Sequence, residues 1–103
     1  MTIEPRDRQA LREWFAANHE SASEVWVIFS KGEIRTLSYA DCVEEAICFG
    51  WIDCRAKALD ETRTMRLFKP RRSNNWSALN ISRVKRLTEQ GLMTRAGLDK
   101  FNI

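Results

Sequence analysis

The sequence has few of the residues that usually form catalytic or metal centres. It contains a single histidine, His19, and its three cysteines are spaced six residues apart instead of being paired as C-x-x-C. Structural zinc sites need such paired ligands, so this spacing argues against one. The sequence also has no Ser-His-Asp or Cys-His arrangement and no glycine-rich phosphate loop. We therefore expect neither a metal nor a cofactor.

Long apolar runs are absent as well. No stretch approaches the roughly 20 residues that span a bilayer, and residues 1–5 lack the basic and then apolar build of a signal peptide. The odd number of cysteines, all in apolar surroundings, predicts reduced core thiols in a cytosolic setting. A hydrophobic content of 44% with four tryptophans favours a packed globule over a disordered chain. We predict a cytoplasmic protein in which residues 1–103 form a single domain.

The charges divide unevenly along the chain. Residues 1–50 carry five Lys and Arg against nine Asp and Glu, a balance of −4. Residues 51–103 carry twelve against five, a balance of +7. A basic half of this kind predicts an anionic partner, or it makes the surface electrically lopsided without any partner.

Apolar residues recur at spacings of three and four in several segments, which is typical of amphipathic helices. Ser38 with Asp41 resembles a capping box, Gly50 is a helix stop, and Glu44 and Glu45 fall on the side predicted to face solvent. The predicted helices cover residues 6–18, 39–48, 77–90 and 95–101.

Three segments favour β-strands. Residues 24–31 are rich in β-branched and aromatic side chains, which predicts a central strand or one covered on both faces. Residues 51–57 and 63–68 flank a short turn and predict an antiparallel hairpin, with Asp53, Arg55 and Lys57 on one face. The order α-β-α-β-β-α-α predicts an α+β domain with a small, mainly antiparallel three-stranded sheet and about four helices.

Four motifs also occur in a recognisable order. They are Tyr39 with EEAICFGWID (residues 44–53), FKPRR (68–72), NWS (75–77) with Asn80, and GLMT (91–94) with AGL (96–98). From about residue 14 to residue 98 this set resembles the bacteriocin-protection family, also called YdeI or OmpD-associated (OmdA-like). The resemblance implies a bacterial protein and carries no established reaction, cofactor or catalytic residue. Members of that family usually continue past residue 103, which implies an early end or a trimmed chain.

The first candidate site is a basic loop in front of the third helix. Its residues are Lys69, Arg71, Arg72, Ser73, Asn74, Asn75 and Trp76. A helix start offers free N–H donors, and arginine forks match phosphate or carboxylate oxygens, so the loop predicts an anion site. Trp76 would stack on a flat ligand or accept an arginine. The alternative is a solvated loop in which Trp76 anchors the helix in the core.

The second candidate lies at the joint of the domain, residues 48–53, where a helix ends and a strand begins. Here Asp53 would act as an acid or base in a pocket floored by Trp51. If the loop at residues 69–77 folds over Trp51, that indole would join the anion site. The alternative places Trp51 in the core and pairs Asp53 with an arginine such as Arg66.

Nucleic acid is the alternative partner for the basic half. The cations suited to phosphate contacts are Arg63, Arg66, Lys69, Arg71, Arg72, Arg83, Lys85 and Arg86, with Trp76 as a base-stacking residue. Our leading hypothesis is a binding module for a small anionic ligand or a protein. Nucleic-acid binding comes second, and an enzyme acting on a small anionic substrate comes third.

Overall fold

The computed structural model of the chain describes residues 1–31, 37–72 and 76–101. Its strands are β1 (Thr2–Ile3), β2 (Val25–Ser30), β3 (Trp51–Ala58) and β4 (Arg63–Pro70). Its helices are α1 (Arg8–Asn18), α2 (Tyr39–Cys48), α3 (Ala78–Glu89) and α4 (Arg95–Lys100). The predicted α+β class and the order of the predicted elements are confirmed. Among the described residues, no helix has the length and apolar character needed to cross a membrane.

The sheet has four strands in the order β1-β2-β4-β3 and is mixed rather than purely antiparallel. The predicted hairpin is confirmed, since β3 and β4 pair antiparallel, and β4 also pairs antiparallel with β2. The short strand β1 runs parallel to β2, with Thr2 opposite Trp26. Our prediction of three strands missed β1 because two residues are too few to show an alternating pattern.

The ends of α2 follow its local sequence signals. The Ser38 hydroxyl accepts a hydrogen bond from the Asp41 amide at 3.1 Å, and the Asp41 carboxylate accepts one from the Ser38 amide at 3.1 Å. This is the predicted capping box. Gly50 has a φ of +81°, a backbone conformation that glycine adopts without steric cost, so it ends the helix as predicted.

The segment of residues 48–53 joins several elements. The Cys48 carbonyl accepts hydrogen bonds from the Thr94 amide at 3.1 Å and the Thr94 hydroxyl at 2.5 Å. A Cβ atom on Gly97 would overlap the Cys48 carbonyl, so glycine lets α4 pack directly on the end of α2. The Gly50 carbonyl accepts from the Arg71 amide at 2.8 Å, which ties down the loop after β4.

The helices cover one face of the sheet. From the strands, this covered face contributes Val25, Val27, Phe29, Trp51 and Phe68 to a single hydrophobic core. From α1, α2 and α3 that core receives Leu11, Phe15, Cys42, Val43, Ala46, Ile47, Cys48, Val84 and Leu87. The domain is therefore two layers thick, with helices on one side of the sheet only.

A buried carboxylate lies between α1 and α2. Glu45 is 1% exposed, and it accepts hydrogen bonds from Arg8 Nε at 2.5 Å and Arg12 Nη1 at 3.0 Å. Arg12 also donates to the Leu92 carbonyl at 2.8 Å, which fixes the segment before α4. The prediction that Glu45 faces solvent is wrong, because α1 packs over that side of α2 and supplies two guanidinium partners.

The other face of the sheet, here called the open face, carries a second set of apolar residues. Cross-strand partners point to the same face, so the register places Trp26, Leu67 and Arg55 together in one row. Further rows contain Ile28, Met65 and Lys57, and then Lys69 and Ile52. None of these residues belongs to the hydrophobic cluster under the helices, although Met65 and Leu67 are themselves 8% and 5% exposed. Strand β2 is thus central, as predicted, and the helices that the structure describes cover one of its faces.

Candidate functional site

A β-bulge in β3 decides which side chains reach which face. The pairing with β4 shifts by one residue between Asp53 and Arg55. Asp53 lies opposite Phe68 on the covered face, while Arg55 lies opposite Leu67 on the open face. The prediction that Asp53, Arg55 and Lys57 share a face is therefore wrong, because the extra residue inverts the alternation.

The same bulge exposes one of the three thiols. Cys54 is exposed, so its prediction as a core thiol is wrong, whereas Cys42 and Cys48 are buried as predicted. Burial raises the pKa of Cys42 to about 12 and that of Cys48 to about 11. The two core thiols are thus protonated and inert at neutral pH, and Cys54 is the thiol that solvent reaches.

A cleft of about 400 Å³ opens at the end of the open face, where β3 begins and β4 ends. Its lining residues are Ser23, Ile52, Cys54, Lys69, Pro70, Arg71 and Arg72. Three of the residues predicted for the anion site, Lys69, Arg71 and Arg72, therefore come together in one cavity. The predicted site residues Ser73 and Asn75, with Asn74 between them, lie outside the described residues.

Arg71 forms the fixed wall of the cleft. It is 3% exposed, and its guanidinium carbon lies 3.9 Å from the centre of the Trp76 ring. Desolvation lowers the pKa of this guanidinium from its usual value, although arginine stays protonated at neutral pH. The Trp76 indole donates to the Lys100 carbonyl at 3.3 Å and meets the Phe101 ring edge-on. Trp76 thus acts as an anchored platform for an arginine, which was one of its two predicted roles.

Lys69 and Arg72 supply the more accessible charges of the cleft. The Lys69 ammonium lies 3.6 Å from a carboxylate oxygen of Glu24, and both side chains are nearly half exposed. Exposed pairs of this kind contribute little free energy, so separating Lys69 from Glu24 costs little. Arg72 is exposed and has no ion pair with any residue in the described ranges. The cleft therefore carries an excess of positive charge.

Trp51 and Asp53 lie away from this cleft. Trp51 is 2% exposed and packs edge-on against Trp14 and Phe15 at 6.0 and 5.4 Å, so its ring belongs to the core. Asp53 accepts hydrogen bonds from the Tyr39 hydroxyl at 2.9 Å and from Arg66 Nη1 at 3.3 Å. The pairing with Arg66 that we considered as the structural alternative is the one observed.

Tyr39, Asp53 and Arg66 form a polar cluster on the covered side of the sheet. The Arg66 guanidinium lies 4.4 Å from the centre of the Tyr39 ring while it pairs with Asp53. Partial burial, together with the hydrogen bond to Asp53, raises the pKa of Tyr39. Tyr39 and Arg66 hold the Asp53 carboxylate in place, so the cluster is a structural contact between α2 and the sheet.

The cations proposed for nucleic acid do not share one surface. Arg63 pairs with Glu4 near the far end of β4, Arg66 lies on the covered side, and Arg86 pairs with Glu44 on α2. Four residues that the sequence did not single out, Ser23, Ile52, Cys54 and Pro70, complete the cleft instead. Of these four, only Ile52 could have been predicted from the sequence, because the predicted hairpin places it near Lys69. No sequence pattern indicated the bulge at Cys54.

Comparison with known proteins identifies the family to which the chain belongs. No curated protein and no solved structure matches the chain. Within the described residues, no group of histidine, cysteine and acidic side chains is arranged to hold a metal ion. A family model described as a domain of unknown function matches residues 3–100, and the chain accordingly belongs to this family, DUF8412.

Proposed function

We propose that the chain is a binding module that takes up an anionic group in the cleft at the end of the open face. The observation that carries this proposal is the convergence of Lys69, Arg71 and Arg72 on one cavity. These residues come from the end of β4 and the loop after it. Lys69 has one carboxylate among the described residues close by, that of Glu24.

The cleft combines charge with rigidity. Stacking on Trp76 holds the planar Arg71 fork in one orientation, so little conformational entropy is lost when an anion binds beside it. A bound anion would also offset the desolvation that lowers the pKa of Arg71. Lys69 and Arg72, which are exposed, reach the anion from the solvent side.

The remaining walls indicate the kind of anion. Ile52 and Pro70 give the cleft apolar surface next to its cations. A carboxylate or phosphate ester with an apolar body uses both features, whereas free phosphate uses the charges alone. The ligand class that we propose is therefore an organic phosphate or carboxylate.

Binding is favoured over catalysis by the position of Asp53. This carboxylate lies on the covered side and is engaged by Tyr39 and Arg66, so it does not reach an anion held by Lys69 and Arg72.

The resemblance to the bacteriocin-protection family supplies a proposed setting, a bacterial cytoplasm, in which reduced thiols such as buried Cys42 and Cys48 persist.

Amide NMR titration tests the proposal. Phosphate, a phosphate ester and an apolar carboxylate are added in turn, and we expect saturable shifts confined to Lys69, Arg71 and Arg72. Lys69→Gln with Arg72→Gln removes two charges from the cleft and should weaken binding at least tenfold, because each lost charge-assisted contact contributes about 1.5 kcal/mol or more. The matched control is Lys85→Gln with Arg95→Gln, which removes two exposed cations from α3 and α4.

Two results would contradict the proposal. One is a panel of anions that leaves the amides of the cleft unmoved. The other is binding that the cleft variant and the control variant reduce equally, since this would show attraction to the net charge of the protein and not to a site.

A further inference from the structure

The open face has an unusual composition for an uncovered sheet. Sheets with one covered face normally place polar residues on the other, so apolar and polar residues alternate along each strand. Here the outward positions in the middle of the two central strands are apolar, with Trp26 and Ile28 on β2 and Met65 and Leu67 on β4, whereas Arg63 and Lys69 lie near the ends of β4. Met65 and Leu67 are buried at 8% and 5% exposure, while Trp26 and Ile28 beside them keep partial exposure. These four residues, here called the apolar floor, therefore offer a partner the exposed parts of Trp26 and Ile28.

Exposed cations border the floor along β3. Arg55 and Lys57 project from the edge strand β3, two residues and roughly 6.7 Å apart along the strand. Both are exposed, and neither has an ion pair among residues 1–31, 37–72 and 76–101. Together with Lys69 and Arg72, which line the cleft near the start of β3, they make up a set of cations here called the basic track.

The opposite border of the floor is not basic. Besides Trp26 and Ile28, the residues of β1 and β2 that share the open face are Thr2 and Ser30, both uncharged, and Glu24 precedes β2 near the cleft. Arg63 on β4 lies opposite Ser30 on this face, and it is paired with Glu4 and Asp60. The surface is thus asymmetric, with positive charge along the β3 edge and apolar side chains inward from it.

We infer that the open face binds single-stranded nucleic acid, with phosphates along the basic track and bases over the apolar floor. This inference goes beyond the proposed anion-binding cleft, with which the track shares Lys69 and Arg72. A single strand has its charges along one edge and its flat apolar bases along the other, which matches the asymmetry of the face. Trp26, in the row of Leu67 and Arg55, is the ring on which a base would stack.

Other occupants match the face less well. A second copy of this chain carries the same cations on its own open face, so it brings no negative charge to the basic track. An acidic amphipathic helix has carboxylates on both flanks of its apolar stripe, whereas only one flank of the floor is basic. A nucleic-acid duplex keeps its bases stacked inside, so it would use the track and leave the floor empty.

Fluorescence anisotropy with labelled single strands of about 10 nucleotides tests the inference. The competitors are the corresponding duplex and a polyglutamate of equal charge. We expect the single strand to bind most tightly, with an affinity that falls as salt rises. Each phosphate contact of a single strand contributes about 0.7 to the slope of log affinity against log salt. The track variant, Arg55→Gln with Lys57→Gln, removes two such contacts, so the slope should fall by about 1.4 and the affinity at about 0.1 M salt should fall roughly 25-fold.

The floor is tested separately. Trp26→Leu keeps apolar volume but removes the stacking surface, and it should lower affinity about fivefold or more without changing the salt slope. Trp26→Phe should recover most of the loss. If either variant fails to fold, fluorotryptophan labelling of the unmodified sequence provides the readout, since the Trp26 fluorine resonance must shift when the oligonucleotide binds. The double variant at Lys85 and Arg95 is again the charge-matched control.

Each result decides between defined outcomes. Equal affinity for the duplex or for polyglutamate, or an unmoved Trp26 resonance, overturns the inference because the floor is then unused. If the oligonucleotide fails to bind while phosphate still shifts the amides of the cleft, only this inference falls. If phosphate leaves the cleft unmoved and the oligonucleotide still binds through Arg55, Lys57 and Trp26, the inference stands and the proposed small-anion function falls.

Discussion

The two faces of the sheet are built from the same strands but have different physical roles. On the covered face, Val27 is fully buried in the hydrophobic core. Its neighbour Ile28 points to the open face, outside that core and partly exposed. Both are β-branched and apolar, so the sequence does not tell them apart. The difference teaches that Val27 adds to the buried core, whereas Ile28 leaves apolar surface partly open to solvent.

The charges also differ between the two faces. On the covered side Asp53 pairs with Arg66, and Glu45 pairs with Arg12. On the open face Arg63 and Lys69 have carboxylate partners, whereas Arg55 and Lys57 are exposed and have no ion pair among the described residues. Paired charges hold elements together, and solvated charges of one sign attract partners of the opposite sign.

The sharpest test of this difference is thiol reactivity. With an aromatic disulfide reagent, we expect Cys54 to react at least about a thousandfold faster than Cys42 and Cys48, because the core thiols become accessible only on opening that costs several kcal/mol. The reaction should consume one thiol per chain rapidly, and Cys54→Ser should remove that phase. Rapid reaction of two or three thiols would show that the covered face is not closed.

Successive residues of β2 provide a second, smaller test. Val27→Thr buries a hydroxyl in the core and should lower the free energy of unfolding by about 1–3 kcal/mol. Ile28→Thr places the same residue on the open face, where water satisfies the hydroxyl, and should cost less than about 1 kcal/mol. Urea unfolding monitored by circular dichroism measures both. Equal losses would mean that the open face is packed like a core.

The smallest predicted effect is on the pH dependence of stability. Burial raises the pKa of Cys42 to about 12 and that of Cys48 to about 11, from the ordinary value of 9.0. Between the ordinary pKa and the raised one, a thiol is deprotonated in the unfolded chain and still protonated in the folded chain, so the unfolded chain binds fewer protons. The stabilisation is complete below pH 9.0 and is lost as the pH rises towards those folded values. We expect a loss on the order of 1 kcal/mol per thiol near pH 10.

Urea unfolding at several alkaline pH values measures that loss. Cys42→Ala with Cys48→Ala should flatten the decline relative to the unmodified chain, whereas Cys54→Ser should leave it unchanged. An identical decline in all three proteins would assign the effect to other groups, such as Tyr39, whose pKa is also raised.

Much of the fold follows from local sequence signals. The capping box of Ser38 and Asp41 and the stop at Gly50 define α2 from residue 39 to residue 48 without reference to the rest of the chain. Ser77 and Thr94 likewise begin α3 and α4. These signals can be recognised because a cap satisfies backbone groups within a few residues of itself.

The candidate site was only partly predictable. The basic run that contains Lys69, Arg71 and Arg72 was visible in the sequence, since charge density needs no tertiary information. The exposure of Cys54 and the separation of Asp53 from Arg55 were not, because a bulge is set by the pairing of β3 with β4. Nor could the sequence show that the Trp51 ring would be enclosed by Trp14 and Phe15 from α1.

By itself, then, the sequence determined the helices, the hairpin and the charge imbalance, which depend on neighbours along the chain. The tertiary structure alone decided which apolar residues became core. It also decided that Glu45 is buried between Arg8 and Arg12. The same long-range packing brings Lys69, Arg71 and Arg72 together with Ile52 in one cleft. The physical reason is that burial and cross-strand pairing are long-range: they depend on which surface packs against which, and residues distant in sequence decide that.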